Sequence, residues 1–287
     1  MIKKILFILF LIYPFVTNAQ QIIKGKVLDS LNNEPIAYVN VGIRNKATGT
    51  ISDINGYYEL KLSDKVLLSD KVEFSHLGFI HYGIGVKKLM SSSDVRLVSS
   101  ITKLDEVVVT PRKTWNKKLG RTIRGSGIFH ALFYTVHEKE VNAELGREKG
   151  MLFDIKNDCK LDDFNFCISS NGFKSIKFRL NIYNIKGGVP KEIITKDNII
   201  VEVKGGHLGW LEFDLKPYNI YLKKEEGPVA ITLTWLDSEK MDKQSWMFSL
   251  NAAMLPNFTT FNRDKVMDTW KKSRYAVSMY INTTCYK

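Results

Sequence analysis

The chain has 287 residues, 44% of them hydrophobic, which is enough for one large or two modest cores and excludes a core-starved miniprotein. It holds 42 basic residues against 30 acidic ones, a formal charge of +12, and only three cysteines, so neither an acidic solvating polymer nor a disulfide-dense scaffold fits. The basic residues are spread among aliphatics and acids instead of gathering on one tail or helix face, and no nucleic acid is expected as a partner.

Residues 1–19, MIKKILFILFLIYPFVTNA, set Lys3 and Lys4 ahead of an apolar run from Ile5 to Val16, with Thr17 and Ala19 at the positions a signal peptidase reads. This predicts a signal peptide. The run is shorter than the ~20 apolar residues a membrane-crossing helix needs, and polar Gln20 and Gln21 follow at once. The segment holds no cysteine, so a lipid-bearing N-terminal cysteine is not expected. The expected product is exported: periplasmic or associated with the outer membrane, with the cell surface and peripheral membrane attachment both open.

Residues 20–100 read as a β-module. Val39, Val41 and Ile43 alternate with other residues, as do Tyr58, Leu60 and Leu62, and Val72 and Phe74 share a face. Asn32, Asn33, Gly49 and the Asn55–Gly56 pair supply turn residues between these runs, and Phe79 follows a glycine-bearing turn. The succession GKVLD, EPIAYVNVGI, GTISDINGYYEL and VEFSHLGF resembles the carboxypeptidase-regulatory-like domain. That domain is a small transthyretin-like β-sandwich of exported proteins, also found at the front of outer-membrane receptors of the Bacteroidetes type. The resemblance implies that Gly25, Pro35, Asn40, Gly49, Asp53, Gly56 and Tyr58 shape the sandwich, and that the module carries no active site. ITKLDEVVVTPRK resembles the segment that follows the domain in those receptors, but too little chain remains for their large barrel.

Residues 101–124 are expected to be a linker, in which Thr110, Pro111 and Arg112 end the preceding module and the basic patch of Lys117, Lys118, Arg121 and Arg124 reads as solvated linker charge. Beyond it, Phe129, Leu132, Phe133 and Val136 have helical spacing, while aromatic and β-branched neighbours favour a strand, so both readings stay open.

Residues 125–287 read as a second sandwich. Ile176, Phe178, Leu180 and Ile182 alternate; Trp210, Leu211 and Phe213 follow a Gly-Gly turn; Trp246, Phe248 and Leu250 alternate in turn; and AVSMYINTTCYK supplies a closing strand. FRLNIYNIKGGVPKEII, WLEFDLKPYNIYL and GPVAITLTWL resemble the jelly-roll or carbohydrate-binding-like sandwiches of exported bacterial proteins. The expected fold class is therefore all-β: a transthyretin-like sandwich followed by a jelly-roll-like one.

Trp210, Tyr218, Tyr221 and Trp235, with His207 beside Trp210 and Asp214, are the candidate ligand-binding residues, because aromatic faces can cover the apolar face of a sugar while polar groups fix its hydroxyls. Core packing is the competing role for each aromatic. His130, His137, Glu138 and Glu140 could gather proton-transfer or metal chemistry on one face, but HExxH is absent. Asp154, Asp158, Asp162 and Asp163 lack the rest of an EF-hand loop and read as turn solvation. No catalytic, cofactor-binding or metal-binding residue is assigned, and no cofactor is expected. Cys159 and Cys167 could approach on adjacent strands as a local disulfide, with Cys285 as an alternative partner and two reduced, partly buried cysteines as the competing reading, and no CxxC pair supports redox catalysis. The expected function is a non-catalytic cell-envelope module for interaction or structure, with a polysaccharide or an envelope protein as partner. The alternative is an envelope-associated hydrolase with an unrecognised active site.

Overall fold

The computed structural model describes residues 21–100, 113–125, 128–135, 142–241 and 247–287. The expected signal peptide and the LDEVVV segment lie outside these residues, as do Val136, His137, Glu138, Glu140 and Trp246. Within them the chain is all-β, and no helix is long and apolar enough to cross a membrane.

The N-terminal module runs through β1 (Ile22–Asp29), β2 (Asn40–Ile43), β3 (Gly49–Ile51), β4 (Tyr57–Lys61), β5 (Lys71–Ser75), β6 (Tyr82–Gly85), the short helix α1 (Val86–Ser91) and β7 (Val95–Leu97). One sheet has the order β4-β1-β7 and the other β3-β2-β5-β6. The predicted alternation holds: Val39, Val41, Ile43, Tyr58, Leu60, Leu62, Val72 and Phe74 all enter one buried cluster, and Phe79 packs at its edge. Asn55–Gly56 turns the chain into β4, and Gly56 takes φ +77°, where a side chain would be strained. Gly49 does something other than the expected turn. It lies within β3, and a Cβ there would stand 2.8 Å from the carbonyl oxygen of Val266 in the second module.

The second module contains β8 (Thr114–Gly120), β9 (Phe129–Tyr134), β10 (Glu148–Phe153), β11 (Cys159–Asn171), β12 (Phe173–Lys186), β13 (Val189–Ile193), β14 (Ile199–Lys204), β15 (Gly209–Asp214), β16 (Tyr221–Leu222), β17 (Val229–Lys240), β18 (Phe248–Ala253), β19 (Thr260–Arg263), β20 (Lys271–Ser273), β21 (Ala276–Val277) and β22 (Met279–Tyr286). A seven-stranded sheet, β13-β12-β17-β10-β19-β20 with β14 also on β12, faces an eight-stranded sheet built around β11. Ile176, Phe178, Leu180 and Ile182 of β12 meet Phe164, Phe166 and Ile168 of β11 in the shared core. Burying each such side chain contributes about 1.5–3 kcal/mol.

Part of the expected linker is a strand. β8 pairs along its whole length with β22, so residues 114–120 belong to the second sandwich, as an edge strand. Its lysines suit an edge, where charge discourages further strand pairing. Arg121 then turns inward, only 6% exposed, and donates to the Ser278 hydroxyl instead of lying in solvent. The ambiguous segment at Phe129 resolves as strand β9, paired with β18.

The two modules touch. Tyr38 and Ile51 of the first form an apolar cluster with Leu236 and Val266 of the second. Arg179, on the outer face of the seven-stranded sheet, donates to the Tyr38 carbonyl oxygen at 2.6 Å and to Asn40 Oδ1 at 3.0 Å. The N-terminal module thus covers part of that outer face.

Candidate functional site

On the outer face of the eight-stranded sheet Cys167, Ser249, Asn251 and Ser278 are buried, with Arg121 laid over Ser278. The stretch along β15, β16 and β22 is half-exposed, and a one-residue bulge decides what it displays. The pairing of β11 with β22 slips between Leu161 and Asp163, leaving Asp162 as the extra residue. Before the slip Cys159 and Leu161 face the core; after it Phe164, Phe166 and Ile168 do. Asp163, Asn165 and Cys167 therefore point outward. Across the strands, Asp163 lies between Asp214 and Asn282, Asn165 between Glu212 and Tyr280, and Cys167 opposite Trp210. β22 alternates strictly: Met279, Ile281, Thr283 and Cys285 are buried, while Tyr280, Asn282, Thr284 and Tyr286 are half-exposed.

The result is two aromatic pairs flanking a polar groove. Trp210 and Tyr280 meet edge to face, with ring centroids 5.0 Å apart. Tyr221 and Tyr286 sit 6.4 Å apart farther along the strands. Tyr280 and Tyr286 are six residues apart on one strand, roughly 20 Å. The groove between them has a volume of about 480 Å³ and is lined by Asn116, Lys118, Asp162, Asp163, Asn282 and Thr284, among others.

Hydrogen bonds hold these polar groups in place. Asn282 Nδ2 donates to Asp163 at 2.8 Å, Asn165 donates to the same carboxylate, and Thr284 donates to Asp162 at 2.9 Å. Lys118 Nζ lies 5.3 Å from the Tyr280 ring centroid, and Lys160 Nζ 5.7 Å from that of Tyr221. Burial, then the Asp163 and Glu212 carboxylates, push the Tyr280 phenol above its ordinary pKa. It stays a neutral donor and acceptor at physiological pH.

Three of the five sequence-predicted binding residues come to this face. Trp210 and Tyr221 form its two ends, and exposed His207 caps the turn before β15, with Nε2 3.0 Å from the Trp210 carbonyl oxygen. Tyr218 instead stacks on Phe213 at 6.2 Å and packs against the core. Trp235 is a correction. It is fully buried, ringed by Phe133, Tyr134, Phe173, Phe178 and Phe248, because inward-facing β17 positions run through residues 229, 231, 233 and 235. No ligand can stack on it.

The Cys159–Cys167 bridge is corrected as well. Both cysteines lie on β11, so roughly 26 Å of extended strand separates them and the bulge turns them to opposite faces. All three cysteines are free thiols in this structure. Among the described residues no cluster of acids, histidines or cysteines could hold a metal ion. The acids weighed for a cation take protein partners instead: Asp158 accepts from the Lys224 amide, and Asp154 pairs with Lys156.

Residues 23–109 match the CarboxypepD_reg-like domain family. The N-terminal module is a CarboxypepD_reg-like domain. The match runs past residue 100, into the segment first read as linker. Among curated proteins nothing matches the chain. Among solved structures, the chain is similar to the cysteine protease and lectin-like domains of Cwp84, a surface layer associated protein of Clostridium difficile, at 12% identity and a TM-score of 0.37, over 83% of this chain and 46% of that one. The clostridial Cwp84 protease after propeptide cleavage gives 12% identity and a TM-score of 0.37, over 91% and 61%. A candidate carbohydrate-binding protein from Bacteroides uniformis gives 11% identity and a TM-score of 0.19, over 89% and 97%. The chain thus spans about half the length of the first of these structures. Scores of this size establish no common fold.

Tyr280, Asn282 and Tyr286 were missing from the sequence-predicted set. The signal was present in MYINTTCY, where apolar or small residues alternate with Tyr, Asn, Thr and Tyr and so assign both tyrosines to the polar face. Elsewhere on the same outer face, Ser169 Oγ lies 2.8 Å from His130 Nδ1 and 2.8 Å from Ser249 Oγ.

Proposed function

We propose that this chain is an exported, non-catalytic cell-envelope protein in which a transthyretin-like module carries a jelly-roll-like sandwich that binds glycan in the half-exposed groove of its outer face. The Trp210–Tyr280 pair beside the Asp163 carboxylate, which buried Asn165 holds in place, and the Asn282 amide carries this reading. A sugar ring offers an apolar C–H face and hydroxyls that both donate and accept. The aromatic pairs match the first, and the groove's carboxylates, amides and ammonium groups match the second.

The test is a glycan array followed by calorimetry on the full chain. A saccharide hit should weaken at least tenfold in Trp210→Ala and in Tyr280→Ala, while Trp235→Phe retains the affinity. Absence of any saccharide ligand, or variants that bind as well as the parent, refutes the assignment. A hydrolase is the second reading, and the Ser169–His130 hydrogen bond favours it as a nucleophile and base. Hydrolysis of any ester or peptide substrate that disappears in Ser169→Ala would put it first.

A further inference from the structure

Cys159 and Cys285 stand directly opposite one another on β11 and β22. Both side chains point into the same core cluster, 2% and 1% exposed. The hydrogen-bond pattern fixes which kind of cross-strand position they occupy. The Tyr286 amide donates to the Asp158 carbonyl oxygen, so the neighbouring pair bonds across β11 and β22. The Leu161 amide donates to Ile220 on the other edge of β11, so the odd-numbered residues there turn their backbone away from β22. Cys159 and Cys285 are therefore a non-hydrogen-bonded pair, in which Cα atoms lie about 4.5 Å apart and side chains approach most closely. That spacing falls within the range of protein disulfides, about 4.4–6.8 Å. Cys167 offers no competing partner: it faces away from the core and its thiol is 3.1 Å from Asn251 Oδ1.

We propose that the exported chain carries a disulfide between Cys159 and Cys285 that clasps its last strand to β11, leaving Cys167 as a thiol. The oxidant is the disulfide of a thiol–disulfide exchange protein or of a small dithiol. One cysteine thiolate attacks that disulfide and forms a mixed disulfide, releasing one oxidant sulfur as a thiol. The second cysteine thiolate then displaces the other oxidant sulfur, so the chain loses two protons and two electrons and the oxidant gains them. Burial, with the neighbouring Cys285 and Asp158, pushes the Cys159 thiol up to about 12 once the sandwich is closed. The exchange therefore belongs to the folding chain, before β22 seats on β11.

Export supplies the oxidising compartment but glycan binding has no part in this step, so the two proposals can fail separately. The test refolds the full chain in a mixture of oxidised and reduced glutathione, unfolds it in excess N-ethylmaleimide without reductant, and maps the peptides. The expected result is a peptide pair joined through Cys159 and Cys285, with a single adduct on Cys167. Three adducts, or a link through Cys167, would overturn the proposal. As a second readout, reductant should lower the Tm of the parent and of Cys167→Ser by several degrees, and leave Cys159→Ala and Cys285→Ala unmoved. A Tm indifferent to reductant in the parent also overturns it.

Discussion

Glu148 has no exposed side-chain surface and receives the Arg263 guanidinium at 2.5 and 2.8 Å, Asn181 at 2.9 Å and the Thr232 hydroxyl. Burial alone would raise its pKa; Arg263, then Thr232 and Asn181, overcome this and hold the carboxyl below its usual range. Trp270 closes the assembly, with the Arg263 guanidinium carbon 4.3 Å from its ring centroid. Removing one partner leaves the other charge buried without compensation, a loss of about 3–5 kcal/mol. Glu148→Ala should show that loss in urea unfolding, and Glu148→Ala with Arg263→Met should recover part of it; a single variant as stable as the parent would contradict this account. Nothing in GREKGM marks this glutamate as buried, because its partners come from β12, β17 and β19. Trp210 and Trp235 were equally ambiguous in the sequence: both sit in aromatic-rich runs, and only strand pairing sends one outward and the other into the core.

Strand periodicity was the most legible level. The alternations at Val39–Ile43, Ile176–Ile182 and Phe248–Leu250 all became core faces. Two elements escaped it. β8 reads WNKKLG, and a lysine-rich edge strand looks like solvated linker until its partner is known. β11 hides its change of face because a bulge adds one residue without disturbing composition. Asp162 is therefore expected to tolerate both substitution and removal. Deleting it leaves Leu161 and Phe164 two positions apart on one face, so the core residues keep their side, whereas deleting Asn165, outside the bulge, would move Phe166 and Ile168, or the residues before them, off the core side. Asp162→Asn should stay within ~1 kcal/mol of the parent and the Asp162 deletion should keep cooperative thermal unfolding, whereas the Asn165 deletion should lose it, as followed by near-UV circular dichroism. An Asn165 deletion with a parental melt would show that the strand pairing does not depend on this register.

The modules meet on an interface with its own strain. Among the described residues, Tyr38 and Met267 are the non-glycine, non-asparagine residues with positive φ, at 58° and 65°, and both belong to the contact around Val266. Such conformations cost about 1–3 kcal/mol each and persist where surrounding contacts fix them. His76 lies beside this junction, where burial and the Arg179 charge lower its pKa to about 4, against a weaker opposing hydrogen bond to the Leu77 carbonyl oxygen. The unfolded value is about 6.5. Between these values the unfolded chain holds the proton and the folded one does not, so stability is complete above pH 6.5, declines as pH falls towards 4, and stops declining below it. The slope cannot exceed ~1.4 kcal/mol per pH unit for one proton. Thermal melts from pH 7 to 4.5 should fall less steeply in His76→Gln than in the parent; parallel curves would remove His76 from the account.

Docking by way of Arg179 occupies part of one broad side of the second sandwich, and the aromatic groove lies on the other. The molecule consequently has a front and a back. The groove faces away from the N-terminal module, so whatever fills the one side and whatever borders the other are kept apart by the full thickness of a two-sheet sandwich.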